Sequence, residues 1–575
     1  MFRTNCKYFE QKNPRAAALL ALVKAAPLSL THDTLKEAEA FVTTLPRDAV
    51  IVFYGVGAGH HYLALQPWLK EDPRHTLIII EDDLVILSTF LGTRIANTLL
   101  KDPQVHLYFY ENGKEGNNVL QEISWGTFPE KMYIIAHPHY AEAKKKRFEK
   151  IQNELLYEAS DIHAVLDEYI MHGVPFFRNF WPNLFLLPEA SRGNKLFGKF
   201  KDIPAIIVAA GPSLNKHLEQ LKELKDRALI IAGGSSVNAL TDAGIVPHFG
   251  GAIDPNPTQY TRLRQGLGFE VPFFYRNRVL HEAAKMISGP KLYLRGGDGY
   301  NSAEWIEKLM KVSGKVLGGG HSIANFAIEI AFALGCSPII LVGFDLAYTN
   351  DTLYASGVEE EPSESSEEKV VWQDFQGHPI KTAWKWIVEA NWITELKKKH
   401  RSLKLLNATE GGLAIQGVPN VPFQEAVDKY LGKSYDLDGL VHLAIQEAGT
   451  IGGTKEKIVH AMETMLASLG KTIEILDALL YEIKKTSSVH PLERSEVVLV
   501  LEQLHAEIAF QYILDVFDRM RDKLDFFRRR FRLSPTVTQN KKAQFERELL
   551  FNHYFFLKEV TIVNQILITR CLHGA

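Results

Sequence analysis

Short apolar runs that stop at small or polar residues alternate, through most of this chain, with stretches in which apolar residues recur every three or four positions. The pattern is clearest in the middle third. The run 205–210 (AIIVAA) is too short for a buried helix and carries β-branched residues, so it predicts a core strand. Gly211-Pro212-Ser213 breaks it, and Leu214, Leu218, Leu221 and Leu224 then fall at helical spacing, with Ser213 placed as an N-cap. A second strand, 228–232, ends at Gly233-Gly234-Ser235-Ser236, and a third, around 249–253, ends at Asp254-Pro255-Asn256-Pro257. Strands alternating with helices in this way describe a parallel open sheet. Ligands of such sheets collect at the carboxyl ends of the strands, where Ser213, Asn238, Asp254 and Asn256 would stand. Gly211 permits close backbone approach, and a helix start offers free N–H groups to an anion such as phosphate. The plainer alternative is a turn that needs only a glycine and a cap.

The same grammar appears earlier. Residues 1–45 are patterned as helices, with 17–26 the most apolar piece, and a strand follows at 49–54. It runs into Gly55-Val56-Gly57-Ala58-Gly59, while a second strand, 76–80, closes on Glu81-Asp82-Asp83. A Gly-rich first turn with an acidic residue ending the next strand is half of a dinucleotide-binding layout, though the last glycine of the full fingerprint is missing. A sheet that merely needs tight turns reads the same. Strands at 105–110 and 132–136 complete a small α/β domain. The basic residues 144–147 open a long helix and read as a solvated face. An aromatic segment with Phe176, Phe177, Phe180, Trp181 and Phe185 is expected to pack the first domain onto the second.

Beyond the central strands, 291–295 predicts another, closing on Gly296-Gly297-Asp298. Gly318-Gly319-Gly320-His321-Ser322 precedes a helix marked by Ile323, Phe326, Ala327, Ile330 and Ala331 and ended by Gly335. That glycine run either exposes N–H groups to an anion, with Ser322 adding a hydroxyl, or is an ordinary turn and cap. The most apolar strand, 338–342, closes on Gly343-Phe344-Asp345, with Tyr348 and Tyr354 just beyond. Residues 358–369 form an acidic, serine-rich loop that cannot bury a core, a solvated insertion or a lid. Gln376-Gly377-His378 follows, and a last strand at 403–406 closes on 407–412 (NATEGG). From about 424 the pattern is all-helical, and Ile458, Met462, Met465, Leu469, Ile473 and Leu476 mark one buried face. The basic cluster 528–532 reads as a solvated helix end, with contact to an acidic partner as the alternative. The expected class is therefore α/β, organised as a Rossmann-like domain (1–150), a helical and aromatic linker (151–200), a central parallel-sheet domain (201–423) and a C-terminal helical bundle (424–575).

Composition narrows the classes. The 575 residues are 46% hydrophobic and 23% charged, with a formal net charge of −3, so the chain lacks the basic bias of a nucleic-acid binder. Cys6, Cys336 and Cys571 are far apart and suggest neither a metal cluster nor a disulfide framework. The absence of a signal-like start or of a run of about 18 apolar residues leads to an expected cytoplasmic location with no membrane span.

Several motifs together resemble a known family. GPSL at 211–214, the strand end 254–257, GGGHSIA at 318–324, LGCSPIILVGFDLAYT at 334–349 and NATEGG at 407–412 resemble the motility accessory factor (Maf) family. Its members are linked to transfer of nonulosonic, sialic-acid-like sugars onto flagellin. The central region also resembles the 6-hydroxymethylpterin pyrophosphokinase-like (MptE-like) proteins and, more distantly, sialyltransferases that use CMP-activated sugars. The resemblance implies that Gly211, Ser213 and Asn238 hold the nucleotide, with Gly319, Gly320 and Ser322 near its phosphate; Asp254 and Asn256 join them from their place at the strand ends. It implies that Tyr348 and Tyr354 donate to the leaving phosphate, unless they only cover the sheet edge. It makes His378 the nearest counterpart of the general base, unless it is a plain loop histidine, and offers no counterpart for His321.

The function so implied is glycosyl transfer from a CMP-sugar donor to a protein hydroxyl on flagellin or another surface protein, with no cofactor required. Helix-start N–H groups and tyrosine hydroxyls would stabilise the charge that develops on the departing phosphate, and a histidine would take the acceptor proton. One rival is ATP-dependent diphosphate transfer to a pterin, which would want Mg²⁺ held by carboxylates such as Asp254 or Asp345. Another is a non-catalytic nucleotide-binding adaptor or export factor that keeps the fold for binding.

Overall fold

The computed structural model describes residues 1–20, 22–23, 34–42, 50–257, 270–349, 351–358, 369–485, 492, 494–532 and 538–574. Most of the acidic insertion, 359–368, therefore lies outside the described residues, as does part of the apolar piece at 17–26. The chain gathers into two compact units. One comprises Met1–Asp167, Leu480–Val498 and Asp518–Tyr554; the other comprises Glu168–Leu479, Leu499–Phe517 and Phe555–Ala575. The helical C-terminal part contributes segments to both.

The first unit is built on a four-stranded parallel sheet of β1 (Val50–Tyr54), β2 (Thr76–Glu81), β3 (Val105–Phe109) and β4 (Met132–Ala136), in the order β3-β2-β1-β4. Strands β1 to β3 are almost wholly buried and read as continuous apolar runs, as a parallel sheet covered on both faces requires. Ile51, Phe53, Leu77 and Ile79 supply one core face and Val50, Val52, Ile78 and Ile80 the other.

The second unit holds an eight-stranded parallel sheet. Its members are β5 (Ser191–Arg192), β6 (Ala205–Val208), β7 (Leu229–Gly233), β8 (Phe249–Ala252), β9 (Phe273–Tyr275), β10 (Lys291–Tyr293), β11 (Ile339–Val342) and, after an antiparallel hairpin of β12 (Val370–Gln373) and β13 (Pro379–Thr382), β14 (Leu405–Asn407). The order is β14-β11-β6-β7-β8-β9-β10-β5. Chain order thus runs outward from β6 through β10 on one side, then returns to place β11 and β14 on the other. The reversal falls between β6 and β11, and the crevice at such a switch point is where open α/β sheets bind ligands. The helix Ile323–Leu334 packs on this sheet and ends at Gly335 in the left-handed conformation, φ +94°, a fit for a residue without Cβ.

The aromatic segment packs within the second unit. Phe176, Phe177, Phe180 and Trp181 are each at most 1% exposed. Phe176 stacks on Tyr300 at 4.0 Å, Phe177 meets Phe517, and Trp181 Nε1 donates to Asn564 Oδ1 at 3.2 Å. In the long helix Lys455–Lys485, Met462 and Met465 are wholly buried core residues. The basic residues after Ala143 are less solvated than their pattern suggests, since Lys144 and Arg147 both pair with Asp82, at 2.8 and 3.0 Å.

Candidate functional site

Asp345, just beyond the end of β11, organises the crevice between β6 and β11. It is wholly buried. Ser213 donates to it twice, from its hydroxyl at 2.6 Å and from its backbone N–H at 3.2 Å, and the Thr349 hydroxyl donates at 2.7 Å. The carbonyl of Asp345 accepts from Leu413 N–H at 2.8 Å, and Phe344 N–H reaches Thr409 Oγ1 at 3.0 Å. The Asp345 carboxylate thus ties the GPS turn to the loop after β11, 132 residues from its principal donor, while the backbone of Phe344 and Asp345 ties in the NATEGG turn. Burial raises the Asp345 pKa above the ordinary carboxylate value against the pull of the Ser213 and Thr349 donors.

This geometry changes the part played by the turn after β6. Pro212–Lys216 is a 3₁₀ turn capped by Gly211, and Ser213 lies inside it, so its hydroxyl serves Asp345 in place of the expected N-cap role. A Cβ on Gly211 would come within 2.2 Å of Asp345 Oδ2. The glycine makes room for a protein carboxylate here. Asp345, expected as a possible magnesium ligand, already has both oxygens engaged.

The other expected residues divide into those the fold brings to this edge and those it sets apart. Asn238 is buried on the helix Ser235–Asp242, which leaves β7 next door. Ser322 is a true N-cap of Ile323–Leu334, accepting from Asn325 N–H at 3.2 Å. The neighbouring Ile323 side chain occupies the space left by Gly233, where a Cβ would lie 2.2 Å from it. Ser322 and the Asn238 helix are thereby held against the same strand end. Tyr348 is buried, its ring edge-on to Trp386 at 4.9 Å, with Lys369 Nζ over its face at 4.4 Å. Tyr354 is half-buried, and the next residue, Ala355, donates its N–H to Ala210 O at 2.8 Å, so the tyrosine loop returns onto the turn after β6.

His378 sits in the turn of the β12–β13 hairpin, its side chain 70% exposed. Asp374 holds the turn, accepting from the N–H groups of His378 and Gln376, and lies 3.5 Å from His378 Nδ1. Although partial burial works against it, those N–H groups keep the Asp374 carboxyl below its usual range. The hairpin is tied to the crevice at three places: Tyr348 N–H donates to Lys381 O, Thr382 Oγ1 donates to Leu346 O, and Asp374 bridges Leu413.

Of the two glycines expected at a phosphate, one has its N–H taken up by the protein and the other is crowded at its Cα. Gly319 N–H donates to Glu329 Oε2 at 2.8 Å, and Gly320 is closed in by Asn325 and Trp392, which a Cβ would meet at 2.4 and 3.1 Å. Both glycines are left-handed, φ +90° and +69°. Of the strand end after β8, Asp254 is half-buried with one oxygen accepting Asn256 N–H at 2.9 Å, and Asn256 is exposed. His321 is exposed, with its N–H donating to Asn325 Oδ1 at 3.3 Å.

Motif spacing misses Glu389. It lies on the helix Trp384–Lys399 and accepts a hydrogen bond from Ser322; burial pushes its pKa up to about 7. No local pattern marks it, because one acid in a lysine- and tryptophan-rich helix looks like any solvated position.

In the first unit, Glu81 does lie against the Gly-rich turn, as a ribose-binding acid would. Its oxygens, however, accept from Val56, Asp82 and Asp83 N–H and from the Tyr140 hydroxyl. A Cβ on Gly55 would strike the Tyr140 ring at 2.6 Å, and one on Gly59 would strike Phe90 at 2.7 Å. Aromatic rings fill the cradle, and the tight-turn alternative accounts for the glycines. A cavity of about 380 Å³ lies elsewhere in this unit, bordered by Arg15, Glu111, Glu115 and Glu122. Among the described residues no grouping of histidine, cysteine and acidic side chains is arranged to hold a metal ion. No single described helix is long and apolar enough to cross a membrane.

An open parallel α/β sheet with polar loops gathered at its switch point defines the class as a Rossmann-like α/β architecture. Comparison with known proteins narrows it. Residues 178–351 match the sequence family described as 6-hydroxymethylpterin diphosphokinase MptE-like. Among solved structures, the MAf glycosyltransferase from Magnetospirillum magneticum AMB-1 is similar over 99% of this chain and 96% of its own, with a TM-score of 0.51 and 14% identity. No curated protein matches the sequence. The resemblance to Maf and MptE-like proteins carried by the central motifs is thus supported by a family match in the central region and by a common fold along nearly the whole chain.

Proposed function

We propose that this protein transfers a nonulosonic sugar from a CMP-activated donor to a protein hydroxyl. The observation that carries the proposal is the union of the tyrosine loop and the His378 hairpin at the β6–β11 crevice through Tyr348–Lys381 and Thr382–Leu346. Tyrosine hydroxyls and helix-start N–H groups at that edge would stabilise charge on the departing phosphate. Asn238 and the Ser213 turn would hold the nucleotide. His378, oriented by Asp374 as bases commonly are by a carboxylate, would take the acceptor proton. The MAf glycosyltransferase with the similar fold favours a sugar donor. This scheme needs no metal, and the acceptor would be flagellin or another surface protein met in the cytoplasm.

Diphosphate transfer from ATP is the second reading, favoured by the MptE-like match alone. With both Asp345 oxygens engaged, its Mg²⁺ would fall to Asp254, which has one oxygen in a turn.

A thermal-shift series with CMP, CDP and ATP, each with and without Mg²⁺, tests these readings, because a ligand that binds the native state raises its melting temperature. CMP is expected to raise it in the presence of chelator, and Asn238→Ala and Ser213→Ala to remove about half or more of that rise. His378→Ala should leave the CMP shift in place and slow transfer from a CMP-nonulosonate about 100-fold or more. A shift only with ATP and Mg²⁺ would select diphosphate transfer, and only weak shifts with CMP and ATP alike would favour the adaptor.

A further inference from the structure

The start of the helix Ile323–Leu334 stands over the ends of β7 and β8, where Ile323 fills the space left by Gly233 and Gly251. Gly319 N–H is given to Glu329, His321 N–H to Asn325 Oδ1, and Asn325 N–H to Ser322 Oγ. Asn325 is wholly buried beneath this loop, and its Nδ2 has no hydrogen-bond partner among the described residues. A buried donor without an acceptor is costly, so an acceptor that the chain does not supply belongs at this helix start, where N–H groups favour an anion's oxygen.

The acid that meets Ser322 comes from another element. Glu389 lies half-buried on the helix Trp384–Lys399 and accepts from the Ser322 hydroxyl. Trp386, three residues before it, meets the Tyr348 ring at 4.9 Å; Trp392, three residues after it, walls Gly320, whose Cβ would lie 3.1 Å away. Residues three apart share a helix face, so Glu389 stands between the tyrosine loop and the glycine loop.

A serine hydroxyl has one proton to donate and two lone pairs with which to accept. In Ser322 one lone pair takes Asn325 N–H. While Glu389 is ionised, the hydroxyl proton goes to its carboxylate and none is left for a ligand. When Glu389 is protonated, its O–H donates to the second lone pair of Ser322, and the serine proton turns outward. One proton taken from solvent thus moves a donor from the protein to the ligand. Burial lifts the Glu389 pKa to about 7, while the Ser322 hydroxyl and Lys385, one turn earlier on the same helix, pull it down. On the neighbouring elements, Glu329 accepts Gly319 N–H, His321 is exposed in the glycine loop, Lys369 lies over the Tyr348 ring, and Lys381 of the hairpin pairs with Asp351 at 2.8 Å.

We propose that Glu389 is a positioning residue whose proton decides whether the Ser322 hydroxyl is spent on the protein or offered to the phosphate of a bound nucleotide. This rests on the nucleotide-binding part of the reading above and is indifferent to the sugar carried. Phosphate charge opposes a second negative charge beside it, so nucleotide binding and proton uptake assist one another.

Calorimetry of the full chain with the methyl ester of CMP tests the exchange, because a phosphate diester, as in a CMP-activated donor, keeps a single charge across the pH range. Wild-type affinity is expected to fall about tenfold between roughly pH 6 and 8, with about one proton taken up per ligand bound near the upper end when buffers of different ionisation enthalpy are compared. Glu389→Gln, whose amide can donate to Ser322 at any pH, should bind throughout as the wild type does at the lower pH, with no proton taken up. Ser322→Ala should bind weakly at both pH values, its fold verified by circular dichroism and thermal melting. A pH dependence kept in Glu389→Gln overturns the proposal. So does a full dependence kept in Ser322→Ala, which would reduce Glu389 to a charge that repels phosphate. Flat wild-type affinity also overturns it and leaves the nucleotide reading standing. If the ester does not bind at either pH, ATP with Mg²⁺ goes through the same comparison of wild type and Glu389→Gln. The same dependence then keeps the Glu389 exchange and removes the CMP reading, and no binding of either ligand removes both.

Discussion

Asp345→Ala is expected to lower the unfolding free energy by about 3–5 kcal/mol and to remove the CMP-induced thermal shift proposed above. The carboxylate accepts from the Ser213 hydroxyl and N–H and from the Thr349 hydroxyl, all in surroundings where water cannot substitute. Truncation leaves those donors unmatched and opens a void beneath Gly211, whose backbone lies against the carboxylate. Each stranded buried donor costs about 1–3 kcal/mol, which sets the size of the loss. Asp345→Asn should be milder, about 1–2 kcal/mol, because the amide keeps the volume and one oxygen while either hydroxyl can turn to accept. Urea unfolding of the three proteins measures the order. If alanine costs no more than asparagine, or less than about 1 kcal/mol, the carboxylate does not tie the Ser213 turn to the loop after β11.

Glu81→Gln is expected to remove roughly 2 kcal/mol of the pH dependence of stability between about pH 5.5 and 8.0. Glu81 is wholly buried at the end of β2, and burial pushes its pKa up to about 7 even though the N–H groups of Val56 and Asp83, the Tyr140 hydroxyl and the Lys144 charge pull it down. Its folded pKa stands above its unfolded value, so the folded protein holds this proton more tightly. The contribution to stability is complete below the ordinary carboxylate pKa of about 4.3 and is lost as pH rises through about 7. The wild type should therefore gain stability on going from about pH 8.0 to 5.5, and the variant should gain less. The substituted glutamine cannot ionise, and its NH₂ would face a backbone donor, Val56 N–H or those of Asp82 and Asp83, so the variant starts from lower stability. The difference between the two pH values, read by denaturant unfolding of both proteins, isolates the proton. Parallel pH profiles would show that Glu81 is ionised in the fold throughout.

These two carboxylates also show how far local pattern reaches. The long apolar runs 205–210, 228–232 and 338–342 announce β6, β7 and β11, because strands buried on both faces need continuous apolar sequence and their ends must break it. The three-residue β9 and the two-residue β5 escape the pattern, since neither is long enough to show a period. The β12–β13 hairpin, alternating half-buried and exposed, is hidden behind the acidic insertion and has no apolar run to mark it. The turns at 211–214, 318–324 and 343–345 are legible as a set of strand-end and helix-start motifs. Their partners are not. Gly211 reads as an opening for a ligand and makes room for Asp345; Gly319 reads as a phosphate donor and serves Glu329.

Taken alone, the order of apolar runs and breakers settled the α/β class, the central sheet and the stretch of chain where polar strand ends accumulate, because strand burial and helix amphipathicity are written in spacing a few residues long. Which donor meets which acceptor was decided only in three dimensions. Ser213 and Asp345, or Ser322 and Glu389, become neighbours through the crossing of strands and helices far apart in the chain. A side chain's hydrogen-bond capacity is fixed by its chemistry, but whether that capacity is spent on the protein or left for a substrate depends on what the fold brings beside it.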